Sequence, residues 1–393
     1  MGILAGYDLA EVRKGVQHGQ PQMTIADLIG NPLPKDLVEA EEMDNIRIAW
    51  RRRLEMRVKI IDEYNRIPTR TQSALLTVMA DGYAEMLDQV FVCPPSAWFL
   101  TANDDLGGGT YPVIEALKDR IDIVVKALNF NPRFLGELPM RVERKLDPAK
   151  LVPPEIVFTP AELDQVHDAI LAMPVPRGVR RRLEFFAAQF DFCDLAAQDI
   201  EYKSKDTIRI AGRTVSSVCA QDCGRDKLKV LCSQTENGLS VRALLTLLTY
   251  VKTLAWFRGA AEVELADLRA LVPWVLHEKV QPNETAPIFE QNELLRIDRI
   301  AWLQAAFDDA MKEYARLGLD TKDSVADLDT EFDLGLDGLT EAEARARIAR
   351  IEAQLTAMAR NTKLYAHVHA DVLKLKYYHQ RYSNYLRWLT WQT

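Results

Sequence analysis

The spacing of apolar and polar positions changes character along the 393 residues. Up to about residue 150, short β-branched or aromatic runs alternate with short amphipathic segments. Asp8 to Val16 reads as a short helix. Met23 to Ile29 reads as a short strand or extended segment, before Pro32 and Pro34 break the pattern. Arg47 to Arg57, with five arginines in eleven residues, reads as a basic helical stretch with a solvated face, or as an inter-subunit or phosphate-facing patch. A β-branched strand follows at Val58. From Gln72 to Ala80, Ala74, Leu75, Val78 and Met79 recur at helical spacing. Tyr83 to Cys93 predicts a hairpin, Ala97 to Ala102 a buried strand, Glu115 to Arg120 a helix, and Ile121 to Val125 a further strand. That order predicts an α/β layered domain with a parallel sheet.

After Pro153 the texture turns helical. Leu239 to Gly259 presents a wide apolar face, and Glu264 to Glu278 is a helix interrupted near Pro273. The polar stretch at about 194–238 reads as an insertion, with a small hairpin at Ile208 to Val215. Beyond Phe289, Trp302 to Leu317, Glu341 to Met358 and Ala366 to Trp391 predict a helical hairpin or small bundle. The expected organisation is 1–150 an α/β core, 151–288 a helical domain carrying the insertion, and 289–393 a C-terminal helical region.

Composition narrows the class. The chain is 48% hydrophobic and 27% charged, with a formal net charge of -8, as in ordinary globular proteins. That balance argues against dedicated nucleic-acid binding. No run approaches 18 apolar residues, so no membrane span is expected. The N-terminus lacks the pattern of a secretory signal. Five cysteines, an odd and sparse set, fit reduced thiols in the cytoplasm better than a disulfide framework.

Candidate chemistry begins where the strand Val58 to Ile61 runs into Asp62 and Glu63. Adjacent acids at a strand end suit magnesium organisation and water activation in a nucleotide hydrolase. They equally suit a solvated strand end or a helix cap. Asn103 ends the next strand, where ligands of parallel sheets gather, although Asn-Asp-Asp is also a common turn. Arg120 closes a helix and Arg242 opens a long one; either alone reads as a surface cation.

Together these segments resemble the AAA+ ATPases, and within them the MoxR family. VKIIDEYNRIPTRTQSALL at 58–76 resembles the MoxR Walker B segment, and WFLTAN at 98–103 the sensor-1 strand. EALKDRID at 115–122 is similar to the arginine-finger segment, and GLSVRA at 238–243 to sensor 2. The resemblance covers about residues 20–285. It implies an AAA+ P-loop NTPase core with a helical lid, ATP and Mg2+ as cofactors, and ATP hydrolysis coupled to chaperone-like remodelling or maturation. It implies that Asp62 holds Mg2+ through water, Glu63 polarises water and Asn103 senses the terminal phosphate. Arg120 would reach a neighbour's site and Arg242 would couple nucleotide to the lid. A ring, typically a hexamer, follows from a site completed by a neighbour, and a von Willebrand factor A domain protein is the implied partner class. The hairpin at Tyr83 to Cys93 would match the pre-sensor-1 hairpin of this branch.

One part of that pattern is missing. The chain contains no Gly-x-x-x-x-Gly-Lys-Ser/Thr loop and no Gly-Lys pair at all. The core is therefore expected to be N-terminally incomplete, lacking the Walker A segment, with little ATP turnover by the chain alone. The alternative is a non-hydrolysing pseudo-ATPase that serves as an interaction scaffold. Cys193, Cys219, Cys223 and Cys232 are enough thiols for a zinc site, but their spacing favours ordinary thiols. His367 and His369 read as solvated. The closing aromatics Tyr377, Tyr378, Tyr382, Tyr385, Trp388 and Trp391 read as core packing rather than a docking face.

Overall fold

The computed structural model describes residues 1–103, 110–127, 131–143, 148–191, 205, 210, 212, 214, 219, 226–361 and 366–392. The chain forms two compact units, Met1–Ala172 and Met173–Thr393.

The first unit is mixed α/β. Its central sheet has three parallel strands in the order β1 (Val16–His18), β4 (Val58–Asp62), β7 (Ala97–Leu100). Register pairs His18 with Asp62 and Ile61 with Leu100, so the carboxyl ends of all three strands finish together. Two antiparallel ribbons flank this sheet: β2 (Gly30–Pro32) with β3 (Ile48–Trp50), and β5 (Tyr83–Met86) with β6 (Gln89–Val92). The hairpin between β5 and β6 turns at Leu87 and Asp88, both with left-handed backbone. Helix α1 (Leu9–Gly15) is capped by Asp8, whose carboxylate accepts the Glu11 N–H at 2.7 Å. Helix α4 (Thr69–Asp81) buries Leu75 and Val78 against Ile61, Ile67 and Leu54 in one apolar cluster.

Three local expectations change. Met23 to Ile29 is not a strand: helix α2 (Ile25–Ile29) starts there, because Thr24 and Asp27 form a reciprocal capping box. Arg47 to Arg57 is not helical. Ile48 and Trp50 alternate as β3, Trp50 packs on Phe91 at 5.5 Å, and Arg52–Glu55 makes a single 3-10 turn. All five arginines are spent within the unit. Arg47 grips Asp36 in a bidentate pair at 2.8 and 3.0 Å, and Arg57 grips Asp164 at 2.6 and 3.1 Å. Arg51 faces Asp27 at 3.7 Å, and Arg52 pairs with Glu11 and Glu55. Buried Arg53 donates to the carbonyls of Asp27 and Leu28 within α2, and burial lowers its pKa to about 10. Ile121 to Val125, β-branched by composition, lies outside any strand, with Val124 and Val125 exposed.

That last difference has a topological counterpart. The outer side of β7 carries no strand among the described residues. Ala97 and Thr101 donate their N–H groups to Arg57 and Ile61 on the β4 side. By strand alternation, Trp98 and Leu100 direct theirs the other way. Phe99, 39% exposed, adjoins a cavity of about 500 Å3 also lined by Leu4, Ala97 and Phe158.

The second unit is helical. Its core runs from the helix Arg177–Ala188 through edge-on contacts of Phe186 with Phe190 and Phe307 and of Phe185 with Tyr314, at 5.1 to 5.3 Å. The helices Val241–Phe257, Leu265–Leu276 and Arg299–Leu317 pack side by side. Pro273 sits inside the second of these without ending it. The helices Glu341–Asn361 and Ala366–Gln392 form a long hairpin, and its cluster includes Ile351, Leu375, Tyr378 and Tyr382. The aromatic stripe therefore divides: Tyr378 and Tyr382 are core, whereas Tyr377, Trp388 and Trp391 are exposed. His367 is half-buried, its ring 4.9 Å from that of Phe185.

The chain divides into its two compact units after Ala172. Residues 289–393 belong to the second unit because buried Arg181 binds Asp371 at 2.7 and 2.8 Å and Asp323 at 3.0 Å. Most of 194–238, including Cys193, Cys223 and nearly all of the hairpin expected at 208–215, lies outside the described residues.

Candidate functional site

At the carboxyl end of the central sheet, β4 delivers Asp62 and then turns sharply. Glu63 adopts left-handed backbone, φ 54 and ψ 48, before the 3-10 turn Tyr64–Arg66. A non-glycine residue there costs about 1–2 kcal/mol, so local contacts must hold it. They come from the end of β7. The Thr101 hydroxyl accepts the Glu63 N–H at 3.0 Å, and the Thr101 carbonyl accepts the Tyr64 N–H at 2.9 Å. The same hydroxyl donates to Asp62 Oδ1 at 2.5 Å.

Asp62 is half-exposed. Its second oxygen, Oδ2, faces His18 Nδ1 at 3.2 Å across the β1–β4 pair. Its pKa is lowered, first by the Thr101 hydroxyl and then by His18, against a partial desolvation cost. Glu63 is engaged at both oxygens: Asn103 donates its amide to Oε1, and Arg66 meets Oε2 at 3.1 Å. The Asn103 carbonyl in turn accepts from the Asn65 amide at 3.0 Å. Gly19, after β1, donates its N–H to the Asp62 carbonyl at 2.7 Å.

The structure thus brings Asp62, Glu63 and Asn103 into one cluster. Arg120 closes helix α5 (Glu115–Arg120). It forms no hydrogen bond or ion pair with those three, and its Nε is buried without a hydrogen-bond partner among the described residues. Arg242 is the second residue of Val241–Phe257 in the other unit, exposed beside the Ser240 cap, whose hydroxyl accepts the Ala243 N–H at 3.0 Å. His18, Gly19, Arg66 and Thr101 were not singled out from the sequence. The Thr-Ala-Asn that continues from β7 carried a usable signal for Thr101, since residues two apart in an extended chain share a side. Nothing in the sequence sets His18 opposite Asp62.

A half-exposed carboxylate with a hydroxyl and an imidazole on its oxygens suits contact with a hydrated divalent cation. Beside it, a carboxylate held by an amide and a guanidinium is placed to orient a water. The described residues add no glycine-lysine phosphate cradle to these groups. Among them, no helix is long and apolar enough to cross a membrane.

Comparison with known proteins adds two findings. Residues 229–297 match the AAA lid domain family, a span that contains Arg242. The fold is similar to the crystal structure of a candidate ATPase from Cytophaga hutchinsonii. The identity is 19%, the TM-score is 0.51, and the match covers 77% of this chain and 86% of that one. No curated protein matches the chain. Residues 229–297 thus match an AAA lid domain, and the chain as a whole shares its fold with that candidate ATPase.

Proposed function

We propose that this chain is a MoxR-like AAA+ ATPase subunit that couples ATP binding and hydrolysis to remodelling or maturation of a partner protein, as a ring in the cytoplasm. The observation that carries the reading is the convergence of Asp62, Glu63 and Asn103 at adjoining strand ends, cross-tied by Thr101. In it, Asp62 holds Mg2+ through water, Glu63 polarises the attacking water, and Asn103 faces the terminal phosphate. Arg120, whose buried Nε has no hydrogen-bond partner among the described residues, would serve a neighbour's site. Arg242 would link nucleotide to the lid. Bound Mg·ATP supplies the phosphoanhydride and the neutralisation of its charge. A von Willebrand factor A domain protein is the partner class that goes with this reading.

A second reading rests on a specific pair of observations, the missing Gly-Lys pair and a side of β7 that no described strand covers. With no phosphate cradle, the same scaffold would bind partners without hydrolysing ATP. Particle mass with and without Mg·ATP, together with ATP turnover of the chain and of Glu63→Gln, separates the two. Nucleotide-dependent growth to a ring supports the ATPase reading. Constant mass and no nucleotide binding favour the scaffold. Glu63-dependent turnover by the chain alone would overturn the expectation that it lacks an essential element.

A further inference from the structure

One hydroxyl lies between the two acids. Thr101 Oγ1 has one proton to donate and lone pairs to accept with. The proton goes to Asp62 Oδ1 at 2.5 Å, and a lone pair receives the Glu63 N–H at 3.0 Å. The Thr101 backbone adds two further ties, its N–H to the Ile61 carbonyl at 3.0 Å and its carbonyl to the Tyr64 N–H at 2.9 Å. So a single residue at the end of β7 fixes the last residue of β4, the left-handed residue after it, and the start of the following turn.

We propose that Thr101 is a positioning residue for both acids, its hydroxyl setting the Asp62 carboxylate and the Glu63 backbone in one geometry. It touches neither nucleotide nor water in this role; it acts through Asp62 and Glu63. No described neighbour takes over. His18 meets the other oxygen of Asp62, and Asn103 and Arg66 act on the Glu63 carboxylate rather than its N–H. Left-handed backbone at Glu63 is unfavourable by itself, so loss of the acceptor for its N–H frees the turn. The backbone ties of Thr101 survive any side-chain change, which separates the hydroxyl's role from that of the strand. The inference rests on the ATPase reading for its purpose but not for its geometry.

The test compares Thr101→Val, which keeps the shape and removes the hydroxyl, with Thr101→Ser, which restores it. Two readouts are taken on the full chain: hydrogen exchange of the Glu63 amide, and binding of Mn·ATP followed by the electron paramagnetic resonance of Mn2+. In Thr101→Val the Glu63 amide is expected to exchange about tenfold faster, and Mn·ATP to bind about tenfold more weakly. Thr101→Ser is expected to stay within about twofold of the parent in both. Unchanged Glu63 exchange in Thr101→Val, or failure of Thr101→Ser to restore it, overturns the proposal. Absence of Mn·ATP binding in the parent chain counts against the ATPase reading, and the exchange readout still decides the geometric claim by itself.

Discussion

A Cβ placed on Gly19 would stand 2.1 Å from the backbone oxygen of Glu63 and 2.9 Å from its carbonyl carbon. The chain leaving β1 therefore passes the acid-bearing turn at a distance only a bare Cα permits. Gly19→Ala must push that turn away. We expect a loss of about 1–3 kcal/mol in urea unfolding, together with faster exchange of the Glu63 amide. Parental stability with unchanged exchange would mean that β1 gives way rather than the turn.

Lys59 is fully buried in the middle of β4. Its ammonium donates to the Met56 carbonyl at 2.6 Å and to Ser96, over the Trp98 ring, with no carboxylate partner among the described residues. Burial lowers its pKa from 10.5 to about 8. The unfolded chain thus holds this proton more tightly, and folding is penalised at neutral pH. The penalty is fully present below pH 8 and fades between about 8 and 10.5. Lys59→Met is expected to be more stable than the parent at pH 7, by about 1–3 kcal/mol, with the gap closing toward pH 10. Urea unfolding of both proteins at four pH values checks it; a gap that widens with pH sinks the argument.

Arg181 and Asp371 are both about 6% exposed and joined in a bidentate pair, with Asp323 on the same guanidinium. Removing only the arginine strands two carboxylates. Arg181→Met is expected to cost about 3–5 kcal/mol, and the double change Arg181→Met with Asp371→Leu to recover much of that. Burial already raises the Asp371 pKa against the pull of Arg181. The single variant should therefore regain stability as the pH falls and Asp371 takes up a proton. Denaturant unfolding at pH 5 and 8 distinguishes this from simple loss of packing, which would give the same deficit at both.

The Asp36–Arg47 pair makes an acid-side prediction. Hydrogen bonds from the Arg47 side chain and then its backbone lower the Asp36 pKa to about 2. A depressed carboxylate stabilises the folded state above its unfolded pKa, and that contribution is lost as pH drops from about 4 to 2. Asp36→Asn should be less stable than the parent at pH 5 and approach it at pH 2. Thermal unfolding across that range reads the difference directly; parallel curves would exclude it.

The acids and Asn103 could be read from the sequence because each follows an apolar strand whose end is marked by polar residues. The cross-ties could not. Thr101 reaches Asp62 and Glu63, and His18 reaches Asp62, through strand pairing rather than proximity in the chain. The arginine run misled because charge masked the alternation of Ile48 and Trp50, and each guanidinium found its acid by folding. Ile121 to Val125 has strand composition, yet a strand exists only beside another, and none of the described strands adjoins it. Arg181, inside the run Arg180 to Arg182, is buried where two aspartates far along the chain meet it.

The side of β7 that no described strand covers also governs how the molecule behaves in a tube. Trp98 and Leu100 offer amide and carbonyl groups to any extended polypeptide, and Phe99 adds a greasy contact beside them. Such a rim does not discriminate between a fitting strand and a stray one. Sticking of concentrated samples to themselves is the behaviour it entails, and a short peptide that caps the rim would be the natural remedy.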